Sequence, residues 1–201
     1  MDAVTQGQSI RSISRGLQMK PVGVFALLAA VLIGLSGLSG CASGPPPGIS
    51  VVRPFDAKRY LGRWYEIARL DNRFERGLTD IVATYLNRPD GSIDVINRGY
   101  DAVQGEWREA HGLAKWAGSP QEGALEVSFF GPFYGGYNVV ALDQENYQWS
   151  MVIGHDRDYF WILAREKQLD DALRQSLIRK ATDLGIPFDQ IIWTPQTRKD
   201  N

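Results

Sequence analysis

Few residues in this chain have the types and spacing that catalysis or metal binding requires. The chain contains two histidines, His111 and His155, and a single cysteine, Cys41. The histidines lie in different segments, and neither stands at metal-ligand spacing from a second ligand. The tetrapeptide His155-Asp156-Arg157-Asp158 offers an acid and a base, but adjacent charged residues in a short turn usually form a solvated network. We therefore predict no metal site and no catalytic pair.

The chain also lacks the motifs that bind phosphate groups or activate a nucleophile. No Gly-x-Ser-x-Gly elbow, phosphate-binding loop or dinucleotide fingerprint stands at a strand-to-helix junction. The glycine-rich stretch 131–136 joins two predicted strands, so it lacks the helix N-terminus that phosphate binding would use. We expect neither an enzyme nor a resident cofactor.

Cys41 has another kind of chemistry available, because it follows a segment with the form of a secretory signal. Arg11, Arg15 and Lys20 precede the uncharged stretch 22–38. That stretch is shorter than the roughly 20 apolar residues that span a bilayer, and small polar residues weaken its end. A retained transmembrane helix is therefore the less favoured interpretation.

Leu38-Ser39-Gly40-Cys41 resembles a bacterial lipobox. The resemblance implies cleavage before Cys41, a thioether-linked diacylglycerol on its sulfur and a fatty acyl chain such as palmitate on its new amino group. Two or more acyl chains anchor a protein stably, whereas one does not. By resemblance to lipoprotein sorting, Ala42 favours the outer membrane, with the protein facing the periplasm. A plain signal peptide with an unrelated cysteine is the alternative.

Charge and composition limit the remaining possibilities. The 22 basic and 23 acidic residues form no basic patch, which excludes the electrostatic footprint of nucleic-acid binding. The stretch 43–50 contains three consecutive prolines and predicts a stiff extended tether that forms no packed element. We divide the chain into a signal peptide (1–40), a lipidated cysteine with its tether (41–54) and one domain (55–201).

The domain is predicted to be all-β. Segments rich in β-branched and aromatic residues alternate with turn signals and predict eight strands, at 61–70, 79–87, 92–100, 106–116, 124–130, 137–142, 147–153 and 159–165. Eight antiparallel strands joined in sequence close into an up-and-down barrel with room inside for one small ligand. Apolar residues at helical spacing from Leu169 to Leu184 then predict one amphipathic helix, with Asp170 as N-cap, packed outside the barrel.

Three separated motifs resemble those of the lipocalin family. In chain order they are Gly62-Arg63-Trp64, Asp143 with Asn146 and Tyr147, and Arg165. The second match is partial, because Leu142 and Gln144 stand where the family usually has threonine and tyrosine. The best fit, over nearly all of 55–195, is to the bacterial lipocalin lipoproteins related to apolipoprotein D. The resemblance implies a hollow barrel that holds a hydrophobic ligand.

Barrel topology brings these motifs to one end. Successive connections of an up-and-down barrel alternate between its ends, so the start of strand one, the turn after strand six and the end of strand eight meet. We expect the Arg165 guanidinium to lie over the Trp64 indole in a cation–π contact. The predicted closure residues are Gly62, Trp64, Asp143, Asn146, Tyr147 and Arg165. Ligand contact is the alternative role.

The opposite end is the predicted mouth. The connections around it carry Phe74, Phe133, Tyr134 and His155 as an aromatic rim. Alternation back from Arg165 places Leu163, Trp161 and Tyr159 on the interior face of strand eight. Trp161 and Tyr134 are the leading pocket candidates. A filled core is the alternative for Trp161, and a surface aromatic is the alternative for Tyr134.

Glu66 is a further candidate ligand contact. Glu66 and Ala68 share the alternation of Trp64, which predicts that both point inward. A buried carboxylate needs a partner, which an internal arginine or a ligand headgroup could supply. A satisfied structural carboxylate near the barrel end is the alternative.

These features predict a lipid-anchored protein at the inner face of the outer membrane that binds, stores or transports a hydrophobic ligand. The family resemblance implies a fatty acid, lysophospholipid or similar hydrophobic ligand, with a role in envelope maintenance or stress. The alternatives are a lipocalin-type enzyme acting on a bound lipid, a haem- or pigment-binding barrel, and a structural envelope protein. The sequence leaves the oligomeric state open, with a homodimer among the options.

Overall fold

A computed structural model describes residues 44–199, so Cys41 and the predicted signal segment lie outside the described residues. The elements in chain order are α1 Ala57–Tyr60, β1 Gly62–Arg69, β2 Leu78–Asn87, β3 Ile93–Asp101, β4 Glu106–Trp116, β5 Ala124–Phe130, β6 Phe133–Leu142, β7 Trp149–Ile153, β8 Phe160–Ala164, α2 Asp171–Asp183, a 3₁₀ turn Phe188–Gln190 and β9 Ile192–Trp193. Within this part of the chain, no helix has the length and apolar character needed to cross a membrane.

The strands form a closed antiparallel barrel, as the sequence predicts. Each strand pairs with its successor from β1 to β8, and β1 also pairs with β8, which closes the sheet. The short β9 adds to the free part of β1, where β1 has separated from β2. A closed barrel of eight strands has a narrow interior that side chains or one small ligand can fill.

Apolar residues form two cores, because alternate residues of each strand face opposite sides of the barrel wall. The interior core contains Trp64, Val152 and Leu163, whereas Met151 and Ile162 belong to a second core outside the barrel. The helix α2 covers the outer core with Leu177 and Ala181, both fully buried. The predicted external helix is therefore confirmed.

The ends of α2 also follow the sequence signals. The Asp170 carboxylate accepts a hydrogen bond of 2.9 Å from the backbone N–H of Leu173, as an N-cap does. After the last turn, Gly185 takes a φ of +78°, a conformation that a glycine adopts without strain.

A bulge in β1 overturns part of the predicted alternation. The pairing of β1 with β8 shifts register between Glu66 and Ala68. Glu66 keeps the interior orientation, but Ala68 belongs to the outer core and Arg69 takes the next interior position opposite Trp161. The prediction that Ala68 faces inward is wrong, because one extra residue in a strand reverses every later side chain.

The proline-rich stretch is packed on the barrel, contrary to the expectation of a stiff extended tether that forms no packed element. Pro46 is buried and Ile49 packs against the outer core. The backbone of Val52 then bonds to both Val139 and Gly123, at 2.8 and 3.1 Å. Prolines exclude regular structure, but they do not prevent side chains and carbonyls from docking on a neighbouring wall.

The turn between β5 and β6 is tighter than the sequence predicts. We expected a loop over 131–136, but only Gly131 and Pro132 separate the strands, and Phe130 pairs with Phe133. Phe133 and Tyr134 are therefore the first residues of β6 and not loop residues.

The docking of the N-terminal segment generates a stability prediction. A Cβ added at Gly123 would lie 2.9 Å from Val139 Cβ and 3.1 Å from the Val139 carbonyl oxygen. We expect Gly123→Ala to lower the free energy of unfolding by about 1–3 kcal/mol, the usual cost of overpacking. Urea denaturation measures the effect. Gly118→Ala is the matched control, because its Cβ would come no closer than 4.0 Å to Glu122, and an equal loss in both variants would contradict the prediction.

Candidate functional site

One end of the barrel is sealed by Arg165. Its guanidinium carbon lies 3.8 Å from the centroid of the Trp64 ring, which confirms the predicted cation–π contact. Its nitrogens also donate to five backbone carbonyls, those of Arg63 (2.6 Å), Arg59 (2.8 Å), Leu61 (2.9 Å), Tyr60 (3.3 Å) and Tyr147 (3.3 Å). One side chain thus ties the end of β8 to α1, to β1 and to the turn before β7.

The other predicted closure residues surround this contact. The Asp143 carboxylate accepts backbone N–H bonds from Glu145, Asn146 and Gln148, each at 3.2 Å, and so shapes the turn after β6. The Tyr147 hydroxyl accepts the backbone N–H of Asp56 at 2.9 Å.

Gly62 is a glycine because its backbone takes a φ of +90°, a conformation that strains an L-residue. A Cβ at this position would lie 3.5 Å from the Arg165 guanidinium, which is ordinary van der Waals contact. The backbone conformation and not the available space therefore favours glycine here.

Above this seal, the interior is filled by a cluster of tyrosines that the sequence analysis missed. The Tyr137 hydroxyl lies 2.8 Å from the hydroxyls of both Tyr60 and Tyr85, and Tyr60 also reaches Ser150 at 3.0 Å. Burial raises the pKa of Tyr60 to about 12, so the cluster is neutral. The cavity beside it holds only about 10 Å³, room for roughly one water molecule.

The half of the barrel beyond this cluster is open. The register of β4 places Arg108 and Ala110 on the same face as Ala114, which is buried in the interior core. Both Arg108 and Ala110 are nevertheless exposed, as is Gly135 on the corresponding face of β6. Solvent therefore reaches the interior face from this end.

The strand β8 lines the interior as the sequence predicts. Leu163 belongs to the interior core and Trp161 packs against it. The Trp161 ring stacks on Tyr159 with 6.3 Å between centroids, and its Nε1 donates to the Glu75 carboxylate at 2.8 Å. The indole is half-buried, so one face borders the open half.

Glu66 meets an internal arginine, one of the two partners that the sequence left open. Arg69 donates to its carboxylate at 2.7 Å, the Thr194 hydroxyl donates to it as well, and both ionic side chains are buried. Burial raises the pKa of Glu66 to about 8. The nearby Glu75 carboxylate raises the pKa further, whereas the guanidinium opposes the rise but does not outweigh the lost hydration.

Two buried polar atoms on the interior face lack a hydrogen-bond partner among residues 44–199. They are Nε of Arg69 and Oδ1 of Asn97, one a donor and one an acceptor. Asn97 shares the face of Val95, which is part of the interior core. Buried polar atoms of this kind usually meet a water or a ligand.

The predicted aromatic rim is only partly correct. Tyr134 lies on the outer face of β6, where Lys115 Nζ is 5.3 Å from its ring, because Tyr137 takes the interior face. Tyr134 is therefore wrong as a pocket candidate. Phe74 and Phe133 do lie at the open end, but they are largely exposed and contribute no interior wall.

The histidine of the rim has local partners. His155 Nε2 lies 2.9 Å from Asp156, and the histidine ring lies beside Tyr159. In the part of the chain that the structure describes, no three histidine, cysteine or acidic side chains gather where they could hold a metal ion.

Comparison with known proteins agrees with this architecture. Residues 55–196 match the family model described as a lipocalin-like domain. The chain is 53% identical to outer membrane lipoprotein Blc of Escherichia coli K12, over 78% of this chain and 88% of that protein. It is 49% identical to Blc of Citrobacter freundii, over 86% and 97% of the two chains.

A solved structure, the cockroach allergen Per a 4, superimposes with a TM-score of 0.61 at 23% identity. The superposition covers 77% of this chain and 96% of that one, and it shows the shared fold.

The sealing arginine generates one prediction. We expect Arg165→Lys to lower the free energy of unfolding by about 2–3 kcal/mol, because an ammonium group cannot reach five carbonyls in a planar fork. Thermal and urea denaturation measure the loss. Arg179→Lys, on the exposed face of α2, is the control and should leave stability unchanged. Equal stability of the two variants would show that Arg165 does not seal the barrel.

The buried carboxyl generates a pH prediction. Because the folded pKa of Glu66 exceeds its unfolded value of 4.5, the folded protein binds the extra proton between those two values. Its contribution to stability is full below about pH 4.5 and is lost as pH rises to about 8, a change of a few kcal/mol. Glu66→Gln should flatten this part of the stability profile, measured by urea denaturation from pH 5 to pH 9. Exposed Glu166→Gln should not, and a profile unchanged by Glu66→Gln would refute the assignment.

Proposed function

Because the chain belongs to the lipocalin family, we propose that it binds a hydrophobic ligand, a fatty acid or a lysophospholipid, in the open half of its barrel. The observation that carries the proposal is the unequal filling of the interior. The Arg165 seal and the tyrosine cluster block one end, whereas interior-face residues at the other end remain exposed. A ligand can therefore enter from one side only.

The walls of the open half suit an acyl chain with a polar end. Trp161, Tyr159 and Leu163 supply apolar surface. Gly135 leaves room on the interior face of β6, since a Cβ there would meet nothing nearer than 3.9 Å. The unpartnered atoms of Arg69 and Asn97 suit the polar headgroup.

The expected affinity is modest. About ten buried methylenes at about 0.8 kcal/mol give about 8 kcal/mol in total. The loss of translational and rotational freedom offsets much of that, at about 4–15 kcal/mol. An affinity in this range suits uptake and release rather than permanent storage.

We further propose that the protein is anchored in the outer membrane through lipid on Cys41, and that it faces the periplasm with a role in envelope maintenance. The lipobox sequence supports the anchor, and the relatives in Escherichia coli and Citrobacter freundii carry the name outer membrane lipoprotein. We propose a binding function rather than an enzymatic one, because the buried Glu66 carboxyl is engaged by Arg69 and Thr194 and the Glu75 carboxylate by Trp161.

Equilibrium dialysis tests the binding proposal. A chain that begins after Cys41 keeps the docked segment and is dialysed against radiolabelled oleate and lysophosphatidylethanolamine below their aggregation limits. We expect saturable binding, weakened about tenfold by Trp161→Ala, because a large apolar wall is lost.

Trp107→Ala is the control, because Trp107 lies on the outer face of β4 beneath Arg98 and should leave affinity unchanged. Absence of saturable binding to either lipid would contradict the proposed function. An equal loss of affinity in the two variants would remove Trp161 from the pocket.

A further inference from the structure

The open end of the barrel carries an exposed apolar rim. Four large apolar side chains are more than half exposed, and no other described residue of that kind is. They are Phe74 (60%), Val103 (86%), Phe130 (77%) and Phe133 (78%). Exposed apolar side chains that cluster in this way indicate a surface that meets a partner or a membrane.

All four lie in or beside connections at the same end. Phe74 lies between β1 and β2, Val103 between β3 and β4, and Phe130 and Phe133 flank the turn between β5 and β6. The sealed end differs, since its most exposed large apolar side chain is Leu86, at 47%. The apolar surface is thus concentrated around the ligand entrance.

The N-terminal segment reaches the barrel at this end too. The Arg157 side chain, in the connection between β7 and β8, donates to the Pro47 carbonyl at 3.3 Å. It also donates to Leu184 at the end of α2, at 3.1 Å. Pro46 is buried and Ile49 is packed on the wall, so the segment is fixed next to the fourth connection of the open end.

Chain length then limits where an anchor on Cys41 can be. Six residue-to-residue steps lead from Cys41 to Pro47, and a fully extended chain covers at most about 3.5 Å per step, or about 20 Å in all. A lipidated Cys41 therefore holds the membrane surface within about 20 Å of the open end. The sealed end lies at the opposite ends of the barrel strands, so it is farther from the anchor by the length of those strands.

We infer that the apolar rim, residues Phe74, Val103, Phe130 and Phe133, docks into the phospholipid leaflet that holds the anchor, so that the mouth opens directly onto the membrane. The inference rests on the proposed lipidation of Cys41. Anchor and rim reinforce each other, because acyl chains hold the barrel at the surface and the rim side chains bury apolar area in it. The competing possibility is that a second copy of the chain covers the apolar rim.

Site-specific labelling tests this inference on the full lipidated protein. The chain has one cysteine, so a thiol introduced elsewhere is unique once Cys41 carries lipid. Val103→Cys and Phe130→Cys place an environment-sensitive NBD label on two separate rim connections, and Leu86→Cys places it at the sealed end. All three side chains are exposed, so the fold tolerates the substitutions.

The labelled proteins are reconstituted in vesicles of phosphatidylethanolamine and phosphatidylglycerol, with and without brominated acyl chains. We expect brominated lipid to lower NBD emission about twofold at both rim sites and hardly at residue 86, because amphipathic surfaces insert about 5–10 Å. Quenching at residue 86 alone would overturn the inference, and so would no quenching at any site. A blue shift at the rim without quenching would indicate a second copy and would also overturn it.

Maleimide labelling of the unsubstituted protein tests the proposed anchor independently of this inference. If Cys41 is lipidated, the unsubstituted protein takes up no maleimide label. Labelling would contradict the anchor and the inference together, whereas an unlabelled protein with an unquenched rim would contradict only the inference.

Discussion

The stacking of Arg165 on Trp64 is the contact on which the rest of the structure depends. A planar cation lies on the indole face and donates to carbonyls of three neighbouring segments, so it fixes the last strand of the barrel against the first. Charge-assisted bonds to backbone carbonyls are stronger than neutral ones, and here they join Arg165 to the start of β1, before its first residue that pairs with β8. With this end fixed, the tyrosine cluster can pack above it, and the interior is accessible only from the opposite side.

The bulge in β1 gives the open half its polar character. Without it, Ala68 and not Arg69 would face inward, and Glu66 would have no guanidinium beside it. The pairing of β1 with β2 ends at Tyr65, just before the bulge, and the C-terminal chain bonds to β1 beyond that point through Thr194. The bulge thus places the Arg69 guanidinium beside the buried Glu66 carboxyl, next to the place where the end of the chain docks. Bulges commonly redirect side chains at functional sites.

Sequence reasoning succeeded where strands are regular and failed where the register changes. The interior positions of β8 and the contact of Arg165 with Trp64 follow from alternation and topology alone. Tyr134 was misplaced because the short hairpin between β5 and β6 extended the strand into the expected loop. The tyrosine cluster was missed because both faces of β6 are apolar in sequence, which hides its orientation. Docking of the segment near Pro46 has no sequence signal, since it depends on Arg157 from a distant connection.

Docking of the N-terminal segment affects the path that a ligand takes between the membrane and the mouth of the barrel. A free tether would let the barrel turn, and a lipid leaving the membrane would cross water before reaching the mouth. Exposure of about ten methylenes to water costs about 8 kcal/mol, which would make exchange slow. In the orientation that we propose, the acyl chain passes from the leaflet across the apolar rim to the wall formed by Trp161 and Leu163. In this orientation we expect the fixed segment to lower the barrier to exchange without any change in the binding pocket itself.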